Sequence, residues 1–105
     1  MSNTEKLYEV NVTAIGADVA AFMEDKMIIL FNEGVPPELE DISVRHSGGE
    51  LTDELRVGDV IQFDDAAYAI TAIGVEASPN LKKLGHVPLN FDGNTEPTLP
   101  GTIHL

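Results

Sequence analysis

The chain has 105 residues, 43% of them hydrophobic and nine of them glycine, the size and composition of one globular domain spanning residues 1–105. Eighteen acidic against six basic side chains give a net charge of −12, a surface that repels phosphate backbones and anionic membrane faces, so no nucleic acid is expected as a partner. The absence of cysteine excludes disulfides, Cys-ligated zinc and thiol catalysis; MSNTEKLYEV carries no signal pattern, and no apolar stretch approaches the ~20 residues of a membrane span. A cytoplasmic protein without direct membrane insertion is expected.

From Lys6 to Ile15 the residues alternate, Tyr8, Val10 and Val12 to one side and Glu9 and Asn11 to the other, the period of a half-buried strand that Gly16 ends. Ala17 to Lys26 places Val19, Phe22 and Met23 on one helical face and predicts a short helix. Met27 to Phe31 is a continuous apolar run that fits a buried strand, and Pro36 and Pro37 then force a turn or irregular segment. Alternation resumes over Asp41 to His46, with Ile42, Val44 and His46 on one face and Ser43 and Arg45 on the other. Arg56 and Asp59 around Gly58 read as a tight turn into Val60 to Phe63, which pairs as a hairpin with Tyr68 to Ile73 across Asp64, Asp65, Ala66 and Ala67. Ser78 as N-cap with Pro79 at the first position predicts a helical turn through Leu84, stopped by Gly85. His86 to Phe91 and Thr102 to Leu105 read as the last strands, with the runs MIILF and YAITAI in the core and no internal repeat. The pattern predicts an all-β protein, a small, mostly antiparallel barrel or sandwich of about seven strands with one or two short helices.

Three histidines carry what chemistry the composition offers, since imidazole titrates near neutrality and can be nucleophile, proton carrier or metal ligand. His46 is followed by Ser47, Gly48 and Gly49, a turn whose amides can form an anion-binding nest beside a nucleophile. His86 and His104 are placed to orient that imidazole or to bond a phosphoryl group. With Glu50 the histidines also suit a metal, but their spacing contains no tight ligand pair, and neither metal nor cofactor is expected. A chain this short lacks a deep cleft, so the chemistry is expected near the surface.

The segments RHSGGEL, LKKLGHVPLNFDG and LPGTIHL, in that order, resemble the glucitol/sorbitol-specific IIA component of the bacterial phosphoenolpyruvate-dependent sugar phosphotransferase system. TAIG at 13–16 and again at 71–74, MIILF with its following EG, and Pro37, Leu39, Glu40 and Asp41 extend the likeness over nearly the whole chain. The resemblance implies an enzyme of the phosphotransferase kind, a phosphohistidine carrier that serves as a phosphotransferase component. His46, in the segment that holds the family's phosphorylated histidine, would accept the group from the carrier HPr and pass it to the IIB domain of a IIB/IIC glucitol/sorbitol permease. His86 and His104 match family histidines and are assigned supporting roles, with Ser47, Gly48 and Gly49 binding the phosphoryl oxygens. Some relatives carry a second histidine where this chain has Gly48, so no mechanism here can use that imidazole. Family members tend to run beyond the PGTIH segment, so a closing strand is expected to be short or absent at Leu105. The competing reading is an acidic, non-catalytic β-barrel that binds or regulates a partner.

Overall fold

The computed structural model describes residues 7–63 and 66–105. Lys6, at the start of the first predicted strand, and Asp64 and Asp65, in the predicted hairpin loop, lie outside the described residues. The described chain forms β1 (Val12–Ile15), α1 (Val19–Glu24), β2 (Met27–Asn32), a 3₁₀ helix (Pro37–Ile42), β3 (Val44–His46), β4 (Val60–Phe63), β5 (Ala66–Ala69), β6 (Ala72–Ile73), α2 (Ala77–Leu84), β7 (Val87–Asn90) and β8 (Ile103–His104). Six strands make one open sheet in the order β1-β3-β2-β7-β8-β6, and β4 and β5 make a separate two-stranded ribbon. The result is the predicted mostly β protein, but as a sandwich-like pair of layers; among the described residues no closed barrel exists, since β1 and β6 stand at opposite edges. No helix among the described residues is long and apolar enough to cross a membrane.

The sheet is built twice. In one half, β1 pairs antiparallel with β3, which runs parallel to β2. In the other, β6 pairs antiparallel with β8, which runs parallel to β7. The antiparallel β2–β7 pair joins the halves at the centre. Each half opens with TAIG. The Gly16 amide donates to the Ser43 carbonyl and the Gly74 amide to the Thr102 carbonyl, both at 3.0 Å, and each glycine carbonyl then accepts from the amide that begins the following helix, Val19 or Ala77. The left-handed residues that turn each helix back into a strand also correspond, Lys26 at φ 61° and Gly85 at φ 63°. The expectation of no internal repeat is therefore corrected: the halves share backbone hydrogen bonds while keeping little sequence beyond that tetrapeptide.

The core lies on one face of this sheet, where Val87, Leu89 and Ile103 meet Ala77 and Leu81 of α2 and the loop residues Leu51 and Ile70. Ile61 and Phe63 of β4 close it from the ribbon side. Of the predicted core run at 68–73, Tyr68 and Ala69 are instead exposed, because β5 belongs to the outer ribbon, whereas Ile70 and Ala72 are buried and Ile73 packs against the core. The predicted strand at the N-terminus shortens to Val12–Ile15; Leu7 to Asn11 runs beside residues 47–52 with isolated bonds, Ser47 amide to Asn11 carbonyl at 2.9 Å and Thr52 amide to Leu7 carbonyl at 3.0 Å. Helix α2 starts one residue before Ser78, which spends its hydroxyl accepting from the Leu55 amide at 3.0 Å rather than capping the helix.

At both TAIG glycines a side chain has no room: a Cβ on Gly16 would lie 2.3 Å from the carbonyls of Glu40 and Asp41, and one on Gly74 2.2 Å from that of Pro100. Gly16→Ala and Gly74→Ala should each destabilise by about 1–3 kcal/mol, seen as a fall in Tm of roughly 5–20 °C in thermal unfolding followed by circular dichroism.

Candidate functional site

His46 ends β3, an inner strand paired on one side with Val12 of β1 and on the other with Asn32 of β2. Side chains alternate across a strand, so His46 continues the face of buried Val44, as its spacing predicts. Its Nδ1 accepts from the Gly48 amide at 3.0 Å, and its Nε2 lies 2.7 Å from the Gly85 carbonyl. An N–H at one nitrogen and a carbonyl at the other assign the tautomer: Nε2 carries the hydrogen and Nδ1 the lone pair. Gly85 sits against the ring so closely that a Cβ there would fall 2.6 Å from His46 Cε1. On another side the ring of Tyr8 stands edge-on, with centroids 6.1 Å apart and planes at 88°.

The expectation of a surface ring is corrected here, for His46 is 0% exposed. The cause is local. Gly85, at the junction of α2 and β7, lets backbone close over one edge, while the His46–Gly48 bond folds the strand's own continuation over the other. That second cover is thin, since Ser47, Gly48 and Gly49 are all exposed, and Gly48 (φ 78°) has nothing within 4 Å of where a Cβ would stand. The three predicted anion-binding amides are not equivalent: Ser47 donates to Asn11, Gly48 donates to His46, and Gly49 packs against residues 8–10, where a Cβ would meet the Glu9 carbonyl at 2.8 Å.

Beside this turn the Tyr8 hydroxyl is buried and has no hydrogen-bond partner among the described residues. Burial pushes its pKa up, and the Gly49 backbone opposes this only in part. Along the sequence Tyr8 is marked only by strand alternation, yet its ring stands beside His46 and this turn. No local motif marks it, because the contact joins residues far apart in the chain.

The other histidines stand elsewhere. His86 precedes β7, and its ring stacks on Phe31 with centroids 4.5 Å apart. Phe31 and Asn32 are consecutive in β2 and point to opposite faces, so the ring on Phe31 lies across the sheet from the His46 ring beside Asn32. His86 Nδ1 donates to the Leu30 carbonyl at 3.2 Å, and its Nε2 has no partner among the described residues. His104, fully buried in β8, is level through Asn90 with Met27 at the far end of β2. Three strand spacings of roughly 4.8 Å and five residues of roughly 3.3 Å put it on the order of 20 Å from His46. The three predicted histidines therefore do not converge, and among the described residues no three His, Asp or Glu side chains gather to hold a metal.

His104 has its own partners. Nδ1 donates to Asp92 Oδ1 at 2.9 Å, and Nε2 lies 3.3 Å from Thr98 Oγ1. Asp92 also accepts from the Asn94 amide at 3.0 Å, and this amide first, then His104, holds its carboxyl below the usual carboxylate range. The Asp-Gly pair at 92–93 signals a turn in the sequence, but a bond to a histidine twelve positions on has no sequence signal.

These features accord with the comparisons. Residues 7–105 match the family described as the PTS system glucitol/sorbitol-specific IIA component. Curated proteins named PTS system glucitol/sorbitol-specific EIIA component from Shigella flexneri and Escherichia coli (strain K12) are each 40% identical over 99 residues, 94% of this chain and 80% of theirs. The crystal structure of a PTS system IIA component from Enterococcus faecalis V583 superposes with a TM-score of 0.74 at 27% identity, over 90% of this chain and 82% of that one. The fold and these likenesses define a phosphotransferase-system IIA protein. Within that class, the chain belongs to the glucitol/sorbitol-specific IIA family.

Two outcomes follow from the geometry. A depressed folded pKa means that Asp92 contributes stability fully above its ordinary value of about 3.9 and loses it as pH falls through the folded value. Asp92→Asn should therefore flatten the fall in stability below about pH 4, measured by urea unfolding across pH 2–6. Gly85→Ala meets both a left-handed backbone and the His46 ring, and should lower stability by about 2–4 kcal/mol in the same unfolding assay.

Proposed function

We propose that this protein carries a phosphoryl group from phospho-HPr to the IIB domain of a glucitol/sorbitol permease, with Nδ1 of His46 as the acceptor. The observation that carries this reading is the assigned tautomer: the Gly85 carbonyl holds the proton on Nε2, so the lone pair is on Nδ1, facing the Ser47–Gly49 turn. A nucleophile of this kind needs a second group to fix its proton, and here the group is backbone.

The burial of the ring requires the turn to open before transfer. The bond to be released, Gly48 amide to Nδ1, joins two neutral groups and is worth about 1 kcal/mol, so an open minor state is within thermal reach. Opening frees the amide to donate to a phosphoryl oxygen at the moment the ring nitrogen becomes available. Catalysis is then alignment and charge stabilisation, as in phosphoryl transfer generally, with no nucleotide or metal. The net charge of −12 favours encounter with a basic donor surface and acts mainly on its rate. His86 and His104 support the acceptor through the fold. His86 ties the approach to β7 to β2, and His104 closes the loop that leads into β8.

A second reading rests on His86, whose ring is only partly buried and whose Nε2 lone pair has no partner among the described residues. Incubation with phosphoenolpyruvate, Enzyme I and HPr, followed by mass spectrometry with site mapping, separates the readings. The expected result is a gain of one acid-labile phosphoryl group on His46, lost in His46→Gln, which keeps an amide able to bond Gly85, and retained in His86→Gln and His104→Gln. Phosphate mapping to His86 would move the acceptor there. No gain would favour the binding or regulatory module.

A further inference from the structure

We infer that Tyr8 is a phosphoryl-binding residue whose hydroxyl donates a hydrogen bond to an oxygen of the group carried on His46; this rests on the His46 reading above. A buried hydroxyl with no partner is rare in a folded protein, because the water it gave up is not replaced. Here the hydroxyl belongs to a ring that stands edge-on to His46 at 6.1 Å and touches the turn covering Nδ1, a Gly49 Cβ being only 3.5 Å from Tyr8 Cε1. Gly49 is what permits the approach, since any side chain there would meet the Glu9 carbonyl and Val10.

The site needs such a donor. Among the described residues no cationic group hydrogen-bonds the His46 ring, and Arg45, its neighbour in sequence, points to the other face of β3. Of the described groups beside the ring, the Gly48 amide and the Tyr8 hydroxyl are neutral donors left to meet the negative oxygens once the turn opens. In the transfer the Nδ1 lone pair attacks phosphorus as the donor's N–P bond breaks, and that bond's electron pair returns to the donor nitrogen. The Nε2 proton stays on the Gly85 side, and the Tyr8 proton is shared with the phosphoryl oxygen without leaving its own oxygen. A phenol titrates well above neutrality and burial moves it further up, so the hydroxyl serves as a donor throughout.

The test uses the whole chain with Enzyme I and HPr and compares wild type, Tyr8→Phe and protein with 3-fluorotyrosine at position 8, a stronger donor on the same ring. Phosphorylation rate is read by rapid quench, and the phosphohistidine environment by its ³¹P chemical shift. Loss of a hydrogen bond to a charged oxygen should slow acceptance in Tyr8→Phe by roughly 10- to 100-fold and move the ³¹P signal, with phosphate still mapping to His46. The fluorinated protein, which keeps every packing contact, should shift the signal in the opposite sense. Wild-type rate and an unmoved signal in both proteins, with phosphate on His46, would overturn the role of Tyr8 alone. Phosphate absent from His46 in the wild type would overturn the acceptor assignment, and with it this inference.

Discussion

The antiparallel pairing of β2 with β7 is the constraint from which the remaining geometry follows. It holds two similar strand-helix-strand-strand halves back to back, and its register, Leu30 opposite Val87, fixes which residues lie at each end of the sheet. Because β3 is parallel to β2 and β8 parallel to β7, the last residues of β3 and β8 emerge at opposite ends. A slip of one residue at the central pair would turn Val87 and Leu89 out of the core and separate Gly85 from His46. The tautomer of His46 is thus set by the pairing of strands to which neither of its bonds belongs.

The two halves differ at the ends of β3 and β8. At the end of β3 stands His46, and the corresponding position after Ile103 and His104 is Leu105, which joins the apolar core. The glycine at the α2–β7 junction has Lys26 as its counterpart after α1; both take the left-handed conformation, but only a residue without a side chain can lie against an imidazole. A repeated framework has in this way produced one end with a histidine under a glycine-lined cover and one end without.

The bond from His104 to Asp92 commits this histidine to a loop of its own, away from His46. Its ring satisfies an acidic side chain and a threonine hydroxyl drawn from the segment between Asp92 and Thr98, closing that exposed loop onto the sheet. His46 and His104 are both fully buried with both ring nitrogens engaged. What distinguishes them is the thickness of the cover. His46 is screened on the Nδ1 side by an exposed turn and one neutral hydrogen bond, whereas His104 is held by a carboxylate.

The order of elements, the strand at Met27 to Phe31, the glycine stop at 85 and the face shared by Val44 and His46 were legible in the sequence, because each depends on spacing or on a residue with a narrow conformational range. The resemblance carried by RHSGGEL, LGHVPLNFDG and PGTIH was legible as well, since short motifs survive when the chain between them changes. The burial of His46, the separation of the three histidines and the place of Tyr8 beside the glycine turn were decided only in three dimensions. Accessibility and contact between distant segments are properties of strand register and of what folds over an edge, and neither leaves a periodic trace along the chain. The duplication of the sheet was hidden for the same reason: it persists in backbone hydrogen bonds, which side chains do not encode one by one.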